Sequence, residues 1–114
     1  MSFNRRIFVI FIAFVASWQL LAQKIVSVEY ESQAEVKIYV VEYESQCDLK
    51  VHKVEYESQA KGNEGLWYFT NFASQADKKI FFVDYESQAD LKIYFVPYKS
   101  KAGWKNKKYM PLLY

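Results

Sequence analysis

A chain of 114 residues has room for one domain. Hydrophobic residues make up 52% and aromatics 19%, with three Gly and two Pro, which excludes a disordered or low-complexity chain. The net charge of +2 comes from Arg5 and Arg6: residues 23–114 balance 13 lysines against 13 acids, so there is no general electrostatic pull toward nucleic acid.

The first 22 residues stand apart. Arg5 and Arg6 precede an unbroken apolar run, Ile7 to Ala16, and a mildly polar stretch ends on Ala22. This is the layout of a secretory signal peptide, and cleavage is expected after Ala22, with Ser17 as the alternative. An uncleaved anchor is the competing reading, but the stretch from Ile7 to Ala22 is short against the ~20 apolar residues of a span. The expected organisation is a leader over 1–22 and one domain over 23–114, exported to a periplasmic or extracellular space. Membrane contact is expected only through the transient leader.

From residue 30 onward the chain is periodic. Tyr-Glu-Ser-Gln-Ala starts at Tyr30 and Tyr56, with Cys47 closing the copy that starts at Tyr43. Phe72-Ala73-Ser74-Gln75-Ala76, Tyr85 to Ala89 and Tyr98-Lys99-Ser100-Lys101-Ala102 complete six copies. The serines step by 13, 13, 16, 13 and 13, which makes two triplets. Each triplet closes on a glycine (Gly62, Gly103) and is followed by a tryptophan (Trp67, Trp104). Such repetition implies one structural unit used many times.

Between the copies lie runs rich in β-branched and aromatic residues: Val36 to Val41, Leu49 to Val54, Lys79 to Val83 and Leu91 to Val96. They predict strands. Lys37, Lys50, Lys79 and Lys92 are expected on one face, with Ile38, Val51, Ile80 and Ile93 on the other. The following positions are apolar on both faces, which predicts strands covered in part on both sides. No linker carries the Gly or Asn of a tight hairpin. Ser32, Ser45, Ser74 and Ser87 each stand three residues before an acid, which predicts one helical turn per linker, capped by the serine.

The stretch Asp90 to Ala102, its repetition, and the ending Ala102-Gly103-Trp104-Lys105-Asn106 resemble the septoil knot domain family over roughly Lys24 to Lys108. The resemblance implies a small, mainly β domain of six strand–helical-turn repeats in two pseudo-symmetric triplets, deeply knotted as a seven-crossing torus knot. It implies no activity, cofactor or site residue. The chain departs from the repeat at Phe72-Ala73, Lys99 and Lys101. Without the resemblance, the pattern reads as a β-rich solenoid or sandwich.

Chemistry-bearing residues are few. His52 is the single histidine, and it stands where sibling repeats have Tyr39, Phe81 and Tyr94, so it reads as packing rather than as a base or ligand. Cys47 replaces the alanine of its repeat and reads as a small buried side chain, with a reactive thiol as the alternative. The acid pairs Glu31/Glu35, Glu44/Asp48 and Glu86/Asp90 read as capping and solvation rather than as a calcium site. Tyr39, Tyr94, Trp67 and Trp104 read as core, with sugar or base stacking as the alternative. No phosphate loop, nucleophile elbow or zinc-protease motif occurs.

The one candidate surface is a run of Lys99, Lys101, Trp104, Lys105, Lys107 and Lys108. It would suit an anionic polysaccharide, membrane or nucleic acid, against the plainer reading of a solvated tail. The expectation is therefore a non-enzymatic, exported structural or binding protein without catalytic, cofactor or metal residues. It would be a monomer or weak homo-oligomer, and a hydrolase is the weakest alternative.

Overall fold

The computed structural model describes residues 23–114; the expected leader, its cleavage site and the anchor alternative lie outside the described residues. Seven strands form: β1 (Lys24–Ser27), β2 (Val36–Val40), β3 (Leu49–Lys53), β4 (Leu66–Phe69), β5 (Lys78–Phe82), β6 (Leu91–Phe95) and β7 (Gly103–Trp104). Four of them are the runs that the sequence predicts. β1 and β4, of four residues each, and β7, of two, are too short to show a period.

Six strands are parallel and close on themselves in the order β4-β1-β5-β2-β6-β3, with β3 pairing back to β4. This is a barrel, with β7 added antiparallel to β3. The strands of the first half, β1 to β3, alternate round the barrel with those of the second half, β4 to β6. Each triplet therefore supplies every other stave, and neither can form a barrel alone.

The register explains how short linkers join parallel strands. Ser27 at the end of β1 is level with Ile80, which is level with Val36 at the start of β2. Each strand thus begins where the strand two places round ended. A linker has only to cross the strand between, not to return along the barrel, and this stagger is what closure of a barrel demands.

Each linker makes that crossing on the outside. Val28 donates its N–H to the Ile80 carbonyl, and Glu35 donates to the Lys79 carbonyl, so residues 28–35 strap β5 from both edges. In the same way Val41 and Asp48 strap β6, Thr70 and Asp77 strap β1, and Val83 and Asp90 strap β2. Val96 bonds to Val51, and Gly103 lies beside Lys50, which straps β3. The third linker is longer. It crosses β4 through Val54, reaches Gln23 beside β1 at Ala60, and turns back into β4. The 16-residue serine step is this extra return.

The straps account for the two-faced apolar pattern. Inward residues Ile25, Ile38, Leu49, Val51, Ile80 and Ile93 have no exposed surface. Val26 is buried on the outer face, and Tyr39, Phe81 and Tyr94 are half-buried there, beneath the crossing linkers. At the mouth where the strands end, the last inward positions of β4, β5 and β6 are Phe69, Phe82 and Phe95. Those of β1, β2 and β3 are Ser27, Val40 and Lys53. Large side chains therefore alternate with smaller ones round the mouth, and Lys53 Nζ sits 4.5 Å from the Phe95 ring centre and 5.3 Å from that of Phe69.

The lysine-rich C-terminus folds instead of trailing as a solvated tail. Lys107–Leu113 is a 3-10 segment whose Leu113 joins the barrel core, with Tyr109 and Leu112 packed beside it. Asn63 ties this plug down: it donates from Nδ2 to the Met110 carbonyl, accepts from Gln23 Nε2 at Oδ1, and takes the Trp104 indole N–H on its carbonyl.

The linkers are single helical turns, as the sequence predicts, but the serines do not cap them. Each turn is three residues of 3-10 helix, such as Glu31–Gln33, and the cap position is held by the aromatic: Tyr30 has the extended φ −121°, ψ 135° of a cap and makes no side-chain cap bond. In so short a turn the backbone satisfies itself, Gln33 N–H donating to Tyr30 and Ala34 N–H to Glu31.

The acid three residues after Ser32, Ser45, Ser74 and Ser87 does a different job. Asp48 donates its N–H to the Lys92 carbonyl and accepts the Lys92 N–H on Oδ2, so one residue clamps both backbone groups of a neighbouring strand. Glu35 clamps Lys79, Asp77 clamps Lys24 and Asp90 clamps Lys37 in the same manner. Asp48 is buried, so Asp48→Ala is expected to cost about 2–3 kcal/mol in urea unfolding. Ser45→Ala should stay within about 0.5 kcal/mol. Equal losses at both positions would restore the serine cap.

Candidate functional site

The glutamates of the turns and the acids that follow them have structural partners. The glutamate of each turn pairs with a strand lysine: Glu31 with Lys37 at 3.4 Å, Glu44 with Lys50 at 3.8 Å, Glu86 with Lys92 at 3.3 Å and Glu57 with Lys24 at 3.1 Å. The hydrogen bond and charge of Glu57 hold the Lys24 ammonium above the ordinary lysine value. Residues 23–60 carry four lysines and eight acids, residues 61–114 nine lysines and five acids, and only Lys78–Glu35, among the described ion pairs, joins this acidic first half to the basic second half. The charge split therefore draws the halves together at one described point, while the other described pairs lie within a half. The acid pairs read from the sequence divide the work: the first member neutralises a lysine, and the second clamps a backbone. Among the described residues no three His, Cys, Asp or Glu side chains converge on one point.

His52 lies on the outer face of β3 under the strap from β6, and its Nδ1 is 3.1 Å from the Val96 carbonyl. A carbonyl only accepts, so Nδ1 carries the hydrogen. A cavity of about 260 Å³ beside it is lined by His52, Lys53, Val54, Glu55, Gln59 and Lys99. It contains no hydroxyl or thiol nucleophile for the histidine to activate.

Cys47 is buried at 5% exposure. Burial pushes its thiol above the ordinary value and the Glu44 charge adds to the rise, while Lys105 and Lys50 pull in the other direction. A protonated, covered thiol is a poor nucleophile.

Trp67 has no exposed surface and lies at the centre of the barrel, so it is closed to any ligand. Trp104 is half-buried with its N–H used by Asn63, and Tyr39 and Tyr94 are half-buried beneath straps. Of the candidate lysine surface, Lys99 and Lys101 lie exposed on the last turn, and Lys107 and Lys108 lie exposed on the C-terminal plug. Lys105 donates from Nζ to the Glu44 carbonyl at 3.2 Å, and Lys108 stands 5.0 Å over the Tyr109 ring.

What the sequence reading did not single out is the aromatic that opens each turn. Tyr30, Tyr43, Tyr56, Phe72, Tyr85 and Tyr98 are between 62% and 68% exposed. The signal was present: an aromatic side chain at a cap position, where it has no cap bond to make.

The chain matches the 7(1) septoil knot domain over residues 22–105. It belongs to that family. No curated protein and no solved structure matches it at a significant level. The family match covers the six crossings and β7, and stops at Lys105, so the C-terminal plug of the septoil knot domain here, Lys107–Leu113, lies beyond the matched residues.

Proposed function

We propose that this protein is an exported, non-catalytic binding or structural module whose knotted backbone protects the folded state kinetically. The observation that carries the reading is the strapping of every barrel strand by a linker, each strap coming from the triplet that does not supply that strand. Such a chain cannot peel strand by strand. To unfold fully it must withdraw an end past the straps, and that is the behaviour of the seven-crossing torus knot that the family name describes. Export is supported by the Arg5-Arg6 head and the apolar run after it. Small exported domains usually gain stability from disulfides, and a single cysteine offers none within the chain. A high unfolding barrier supplies the persistence in another way.

Two measurements test this. The intact mass of the exported protein should begin near Gln23, and full-length chain in the membrane fraction would overturn the assignment of the leader. On residues 23–114, Cys47 reports opening, because its thiol is covered and protonated in the fold. Labelling by an aromatic disulfide reagent should follow unfolding. The rate extrapolated to water is expected at or below about 10⁻⁶ s⁻¹, the slow limit of small domains. Complete labelling within seconds in mild denaturant would remove kinetic protection as the explanation.

A further inference from the structure

The six exposed aromatics carry an inference beyond persistence. The fold accounts for other residues of the turns: the glutamate, where present, pairs with a strand lysine, the small residue is buried or half-buried, and in four of the six linkers an acid clamps the strand that the linker crosses. The aromatic is left pointing at solvent at nearly the same exposure six times over. Beside it stand a serine and, in five of six turns, a glutamine, all exposed. Among the described hydrogen bonds none uses a serine hydroxyl of these turns, and only Gln59 of these glutamines is engaged, taking the Tyr56 N–H at 3.2 Å. Strand positions under less demand have diverged between copies, as Tyr39, His52, Phe81 and Tyr94 show. Yet the aromatic and the serine are present in all six turns, where the fold does not require them.

The chemistry of that trio is specific. An aromatic face with a hydroxyl and a primary amide beside it, and in four of six turns an exposed acid just before it (Glu29, Glu42, Glu55, Asp84) that no described ion pair engages, suits a ligand with an apolar C–H face, a rim of hydroxyls that carboxylates and amides can bond, and no negative charge. That is a neutral hexopyranose. Each turn lies on the outside over a different strand, so the rings are spread round the barrel. A flat bilayer meets only one side of such a belt, whereas a flexible polymer of repeating units can engage several turns at once. We propose that the aromatic belt is a multivalent binding surface for neutral polysaccharide chains. It rests on the reading of the protein as a non-catalytic binding module and supplies the ligand class.

The experiment uses residues 23–114 with insoluble β-1,4-glucan, β-1,3-glucan and α-1,6-glucan in depletion assays at 50 mM and 500 mM salt. Binding to at least one glucan is expected, with less than a twofold change across that salt range. Tyr30→Ala/Tyr43→Ala/Tyr85→Ala should weaken it at least tenfold, because removing half of the rings removes most of the avidity. The matching triple Phe variant, which keeps the rings, should retain binding within threefold. The unfolding rate of both variants should match the parent, so loss of binding is separable from loss of kinetic protection. Absence of binding to all three glucans overturns the proposal. So does binding that collapses at 500 mM salt, which would assign it to the lysines, and so does a tyrosine-dependent self-association that accounts for the depletion.

Discussion

Trp67→Ala is expected to remove most of the stability of this domain. Trp67 is the largest fully buried side chain and has no exposed surface. It points inward from β4 into a barrel whose other wholly buried residues are Ile, Leu and Val, and it meets the Phe69 ring edge-on at 6.0 Å. Truncating a buried Trp or Phe to Ala costs about 3–5 kcal/mol, because the cavity adds to the lost transfer energy. Net stabilities run at about 5–15 kcal/mol, so the loss is a large share of the total. A six-stranded barrel bonded all round has little freedom to collapse onto the space, which places the cost toward the upper end. Trp67→Phe is the control. The indole N–H is buried without a partner among the described residues, so Phe gives up no hydrogen bond. It should cost less than about 1.5 kcal/mol. The urea midpoint, read by far-UV circular dichroism, distinguishes the two. An Ala variant as stable as the Phe variant would mean that the barrel centre does not carry the fold.

Gly65→Ala is expected to prevent folding or to cost about 3 kcal/mol or more. Gly65 ends the return loop of the third linker, with φ +86° and its carbonyl accepting the His52 N–H. A Cβ there would collide with the backbone carbonyl of Lys50 and press on the Leu49 side chain at 3.2 Å. The left-handed conformation costs a non-glycine residue about 1–2 kcal/mol, and overpacking against backbone adds about 1–3 kcal/mol. Gly62 supplies the contrast. It also has positive φ, at 70°, but nothing lies within 4 Å of its Cβ position. Gly62→Ala should therefore show the conformational cost alone, about 1–2 kcal/mol. Equal losses at the two glycines would mean that the close approach of the return loop to β3 has no energetic weight.

The local grammar of this protein was legible in the sequence. Four strands were visible because β-branched and aromatic runs of five or six residues stand between turn-forming linkers. The helical turns were visible because those linkers lack the Gly or Asn of a hairpin. The inward set Ile38, Val51, Ile80 and Ile93 followed from period-two alternation against Lys37, Lys50, Lys79 and Lys92. The serine cap was misread because S-x-x-[DE] spacing has the same form whether the acid bonds within its own turn or across to another strand. Only the partner, 44 to 53 residues away, separates the two.

The arrangement of the strands depended on contacts with no local signature. A repeat of thirteen residues is compatible with a solenoid, in which each strand pairs with the next copy. Here each strand pairs with copies from the other half, because a linker that crosses one strand leaves a place in the barrel that only the other triplet fills. The 16-residue step at Gly62 and Gly65 moves the chain from one set of staves to the other, and its length alone did not say where it went. The exposed aromatics show the same limit from the other side. Composition counts a tyrosine as core-forming, and only the crossing of linker over strand, which places the turn on the outermost layer, turns Tyr30 and its five counterparts outward. The sequence by itself determined the repeat unit, the strand faces and the family resemblance, since these rest on neighbouring residues. The tertiary structure decided the interleaving, the clamps, the plug and the aromatic belt, since each depends on which distant strand lies underneath.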